Sequence, residues 1–139
     1  VCGTYPDRIA AGMALCGGDV SGLGKLPFWI IHGTADRAVS VNCSKTVVEK
    51  LKSEGNDQRL LYNWWQGAGH GAPARVFYLK KTYEWLFSHS LRDPDRHVRR
   101  DISIEMSDQR KAYSDITRGG GAPELIDGIS VIKSEGFED

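Results

Sequence analysis

What is scarce in this sequence narrows its reading first. No apolar run comes near the roughly 20 residues that span a bilayer, so a membrane-spanning helix is not expected. Neither sign of charge is in excess, since 18 Lys and Arg balance 18 Asp and Glu. That leaves no net field to draw in a nucleic acid or an anionic membrane surface, and neither partner is expected. The 3 cysteines, Cys2, Cys16 and Cys43, are odd in number and form no C-x-x-C pair. They suggest neither a disulfide framework nor a zinc knuckle, and packed thiols are expected. There is no internal repeat, and 139 residues suffice for one modest domain but not for two ordinary ones.

What is present alternates in kind. Residues 9–16, "IAAGMALC", and 26–32, "LPFWIIH", are short apolar runs of the type seen in strands covered on both faces. The Gly-rich "GGDVSGLGK" separates them. Residues 44–54 predict a helix, capped by Ser44, carrying Val47, Val48 and Leu51 on one face and stopped by Gly55. A third strand fits 59–65, "RLLYNWW", where alternation sends Trp64 and Trp65 to opposite faces as core packing. A second helix fits 75–90, with Val76, Leu79, Tyr83, Leu86 and Phe87 along one stripe. Strands alternating with amphipathic helices predict an α/β fold with a parallel sheet and right-handed crossovers. Such a small sheet calls for neighbours upstream. Residues 1–91 are therefore expected to be part of one domain. Residues 92–139 differ in kind, as a charged linker and an appended tail. The tail comprises "RDPDRHVRRD", a short helix capped by Ser107, the flexible "RGGGAP", and a possible hairpin or edge strand in "ELIDGISVI".

In open parallel sheets, ligands bind beyond the carboxyl ends of the strands, where loops converge. Asp36 follows the strand at 26–32, and His70 follows the strand at 59–65 in "QGAGHGAP". Adjacent parallel strands would bring the two together. A carboxylate bonded to an imidazole fixes its tautomer and stabilises the imidazolium, as a general base requires. The glycines flanking His70 suit a tight, exposed turn. His32 precedes the acid and is expected to pack or to bond the loop, while His89 and His97 are expected in solvent. Metal binding by His32, Asp36 and His70 suits their ligand chemistry but lacks a short-spaced ligand pair.

"HGTADRAV", then "SKTVVEKLKSEG", "GAGHG" and "TYEWLFSHSL", with "YPDRIAAGMALCGG" ahead of them, resemble the C-terminal half of the α/β-hydrolase superfamily. The nearest branch in appearance is that of the dienelactone hydrolases, phospholipase/carboxylesterases and prolyl-oligopeptidase-like esterases. The resemblance covers residues 1 to about 91. It implies a Ser-Asp-His triad in which Asp36 is the acid and His70 the base, acting without a cofactor or metal on small-molecule or polysaccharide-linked esters. No G-x-S-x-G elbow occurs in these residues. In similar proteins the elbow lies about one helix before the "YPDR" segment. The serine is expected upstream of Val1, on the missing N-terminal half of the same domain, and the present chain alone is expected to be inactive. Cys2 lacks the elbow context and is expected as a packed thiol. Alternatives are a serine peptidase of the prolyl-oligopeptidase-like type, a non-catalytic interaction domain that keeps the half-fold, and self-association through an open first strand.

Overall fold

A computed structural model describes residues 2–17 and 22–108. The first apolar run forms strand β1 at Gly12–Leu15 and the second forms β2 at Phe28–Gly33. The "RLLYNWW" run forms β3 at Leu60–Trp65. They pair in parallel in the order β1-β2-β3, with Ile30 of the central strand level with Ala14 on one side and Tyr62 on the other. Roughly a dozen residues connect β1 to β2, about the minimum for a parallel crossover. The crossover from β2 to β3 runs through helix α1, Val41–Ser53. This is the α/β arrangement that the alternation of strand and helix patterns predicts.

All of β2 is buried, and its period-2 alternation builds two cores. Phe28 and Ile30 point to one face, where they meet Val48 and Leu51 of α1, Leu60, and Leu23 and Leu26 from the preceding loop. Trp29 and Ile31 point to the other, against Trp65, Ala68, Val76, Trp85 and Ile104. Trp64 and Trp65 divide between the two faces, as expected for adjacent strand positions. Trp85 sets its ring edge-on against Trp29, with centroids 5.2 Å apart.

Both helices depart in detail from their sequence patterns. α1 begins earlier than expected, because Ser40 is the residue whose hydroxyl accepts the Asn42 N–H at 3.2 Å. Ser44 lies within the helix and is buried. Gly55 does end it, at φ +70°. The single helix expected over 75–90 is instead a 3-10 segment, Pro73–Tyr78, and a separate helix α2, Lys80–Phe87. Leu79 between them is extended, so the apolar stripe is re-phased: Thr82 and Trp85 are the buried positions of α2, and Phe87 is 75% exposed.

After α2 the chain crosses the amino ends of the strands, remote from the Asp36 and His70 loops. Arg59, just ahead of β3, donates to the carbonyls of Asp95 and Arg96. Arg96, at φ +50°, donates to the carbonyls of Pro6, Ile9 and Ala10 ahead of β1. Ile104 then enters the second core. His89 is buried rather than in solvent. Its Nδ1–H donates to the Trp85 carbonyl at 2.7 Å, and its Nε2 accepts the Arg99 N–H at 3.0 Å. Residues 93–104 are thus packed on the sheet by both backbone and side chains. His97 is exposed, as expected. Of the thiols, Cys2 packs against the first core, but Cys43 is exposed on α1. Most of the helix expected after Ser107, the glycine break at 118–123 and the strand or hairpin at 124–132 lie outside the described residues.

Candidate active site

β2 and β3 are neighbours in the sheet, so the loops leaving their carboxyl ends lie side by side. Hydrogen bonds involving the backbone join them. Thr34 N–H donates to the Trp65 carbonyl, Ala35 N–H to the Ala68 carbonyl, and Gly67 N–H to the Thr34 hydroxyl at 2.8 Å. Gly33 makes this approach possible. A Cβ built on it would stand 2.2 Å from the Ala68 oxygen and 2.9 Å from the Gly69 oxygen, inside van der Waals contact. The "HG" of the sequence motif therefore has a steric basis at Gly33. In the His70 loop, Gly67 is the residue at positive φ, whereas a Cβ on Gly69 or Gly71 would meet nothing within 4 Å. The flanking glycines are not what shapes the turn.

These loops bring Asp36 and His70 together. His70 Nδ1 lies 2.8 Å from Asp36 Oδ2. A carboxylate can only accept, so Nδ1 carries the proton, and Nε2 is left as the proton-accepting nitrogen of the neutral ring. The His70 side chain is 50% exposed and the Asp36 side chain 0%. The imidazole is thus open to solvent while the carboxylate behind it is closed off. The other Asp36 oxygen, Oδ1, accepts the backbone N–H groups of Ala38 and Val39 at 2.9 and 2.8 Å. Burial alone would raise the pKa of this carboxylate. The Val39 amide, the His70 ring and the Ala38 amide outweigh it and hold the pKa at about 2, against an ordinary 3.8.

The sequence does not flag two further residues at the site. Cys16 follows β1 at φ +68°, and its thiol donates to the His70 carbonyl at 2.8 Å. Burial and the Asp36 charge raise its pKa, keeping it in the donating thiol form. Its place at a strand's carboxyl end was the available signal. Cys16, Asp36 and His70 offer ligand atoms within 4.8 Å of one another. The Asp36 oxygens are already engaged by N–H groups, however, so the arrangement suits proton transfer better than ligation. The second residue is Ser44 of α1, bonded to His32. His32 is fully buried and bonds the loop through the Val39 carbonyl, as its position ahead of the acid led one to expect.

No protein-family model matches the chain, and no curated protein matches it. Among solved structures, the chain is similar to one described as a thermostable esterase, with a TM-score of 0.53 and 28% sequence identity. The likeness covers 63% of this chain and 26% of the esterase chain, so this chain spans about a quarter of the length of the protein it resembles. The parallel sheet and its helices are consistent with part of an α/β-hydrolase fold, and the structural relationship is to an ester hydrolase.

Proposed function

We propose that this chain is the C-terminal part of a serine ester hydrolase and supplies two members of its triad, Asp36 as acid and His70 as base. The observation that carries the proposal is the pair itself: a buried carboxylate holding Nδ1 of a half-exposed imidazole, on adjacent loops at the carboxyl end of a parallel sheet. The esterase-like fold supports it. The serine would be contributed from upstream of Val1, on a G-x-S-x-G elbow that these 139 residues lack. In that mechanism the serine attacks the ester carbonyl while His70 Nε2 takes its proton, and His70 returns the proton to the departing alkoxide. Asp36 keeps His70 in the Nδ1–H tautomer and stabilises the imidazolium formed in between.

The test has a genetic and a kinetic arm. The coding sequence ahead of Val1 is expected to encode G-x-S-x-G about one helix before Tyr5-Pro6. Protein that includes this segment is expected to hydrolyse p-nitrophenyl acetate. Asp36→Ala and His70→Ala should each lower kcat by several decades, on the order of the losses seen when triad members are removed singly. Near-normal turnover in either variant would overturn the assignment. An elbow without a nucleophile, together with an inactive parent, would favour a binding domain that has kept the fold.

A further inference from the structure

The carboxylate of Asp36 meets a second imidazole. His32, on β2, is 0% exposed, and its Nε2 lies 2.8 Å from the Val39 carbonyl and 3.2 Å from Asp36 Oδ2. Neither oxygen can donate, so Nε2 carries the proton. In the neutral ring Nδ1 then accepts, and its partner at 2.7 Å is the hydroxyl of Ser44, itself buried in α1. The chain of bonds runs from Ser44 O–H to His32 Nδ1, and from His32 Nε2–H to the Val39 carbonyl. Val39 in turn donates its N–H to Asp36 Oδ1. Val39 is thus held through both of its backbone polar groups, its carbonyl by His32 and its N–H by the acid.

We infer that His32 and Ser44 form a positioning brace for Asp36, linking the loop that carries the acid to helix α1 through one buried imidazole with a fixed tautomer. The inference rests on the reading of Asp36 and His70 as acid and base. His32 does not touch substrate on this account: its burial rules it out as a second base. It acts through the loop, whose Val39 carbonyl it holds. The ordering differs from that of a histidine that merely fills the core, because every hydrogen bond the ring makes ends at the acid's own turn or at the helix that anchors it.

The test uses the full chain with labelled histidine and aspartate side chains. Nitrogen NMR is expected to find His32 protonated at Nε2 alone. The Asp36 carboxyl carbon should titrate near 2 in the unsubstituted chain and move up toward 3.8 in Ser44→Ala and in His32→Phe, as the loop amides loosen from Oδ1. His32→Gln retains an amide N–H that can reach the Val39 carbonyl, and should restore much of the low value. An Nδ1–H tautomer at His32 overturns the inference. So does an Asp36 midpoint unmoved in Ser44→Ala, even with a lower Tm, since a purely structural histidine predicts that result. If His32→Phe does not fold, the tautomer and Ser44→Ala still decide. In the longer protein carrying the serine, Ser44→Ala should lower kcat about 10- to 100-fold with KM unchanged, the scale of a slightly misplaced catalytic group. An inactive parent with the NMR results intact would defeat the triad and leave the brace standing.

Discussion

A single missing side chain at Gly33 controls how closely the Asp36 and His70 loops can approach. Its φ is unexceptional, so the requirement is for space rather than for conformational freedom. Gly33→Ala must push the Ala68–Gly69 backbone outward, and the forced overpacking should cost about 1–3 kcal/mol in urea unfolding. It should also lengthen the contact between Asp36 and His70 and lower the activity of the parent more than its stability. An alanine variant with unaltered stability and turnover would show that the loops can separate freely. Asp36 titrates in a direction that sets its pH window. Its folded pKa, about 2, lies below the ordinary 3.8, so its contribution to stability is fully present above 3.8 and is lost as the pH falls toward 2. Asp36→Asn should flatten the stability profile across that interval, and an unchanged profile would mean that the carboxylate's bonds are not maintained in solution.

Among the elements, α1 has two tasks. It buries Val48 and Leu51 against the first core, and it presents Ser44 to His32. Its start is set by Ser40, whose hydroxyl satisfies an N–H that the first turn leaves without a helical partner. Ser40→Ala should therefore cost about 1 kcal/mol by urea denaturation, whereas Leu51→Ala, at a site with no exposure, should cost about 2–5 kcal/mol through the cavity it leaves. Equal, small losses at both positions would contradict the packing described for this helix. The split between the 3-10 segment and α2 has a similar logic. The extended Leu79 lets Val76 and Trp85 face the same core from two short elements, which one continuous helix over 75–90 would not do with the same residues.

At the scale of the whole molecule, the segment 93–104 holds the amino ends of the strands together while the candidate site occupies the carboxyl ends. His89 is one of its fastenings. Burial lowers its pKa below 6.5, and the neutral ring accepts the Arg99 N–H. The unfolded chain takes up this proton at a higher pH than the folded one does. Stability is therefore fully present above 6.5 and declines as the pH falls through the lowered folded value. The urea midpoint should drop as the pH falls below 6.5, more steeply than in His89→Gln. A His89→Gln profile parallel to that of the unsubstituted chain would remove His89 from this role.

The sequence alone determined the parallel α/β pattern, because periodicity in 9–16, 26–32 and 59–65 reports which faces each segment can bury. It also singled out Asp36 and His70, because both stand in loops that follow strands and both fall in motifs that resemble those of the hydrolases. The wide apolar stretch at 75–90 was legible as helix-forming, but the break at Leu79 was not, since helical spacing alone does not say which of several possible stripes meets Trp29. Ser44 read as a cap because a serine before an apolar helix face ordinarily is one. Only the packed structure shows it buried with its hydroxyl on His32, and Ser40 in its place at the cap. His89 read as solvated for want of any local signal. Its ring packs on Trp85 and accepts the N–H of Arg99, a residue brought back by a segment whose charges suggested a linker. Only the tertiary structure decided these points: local patterns fix which backbone conformations and faces are favourable, whereas hydrogen bonds between elements remote in sequence exist only once the chain has folded.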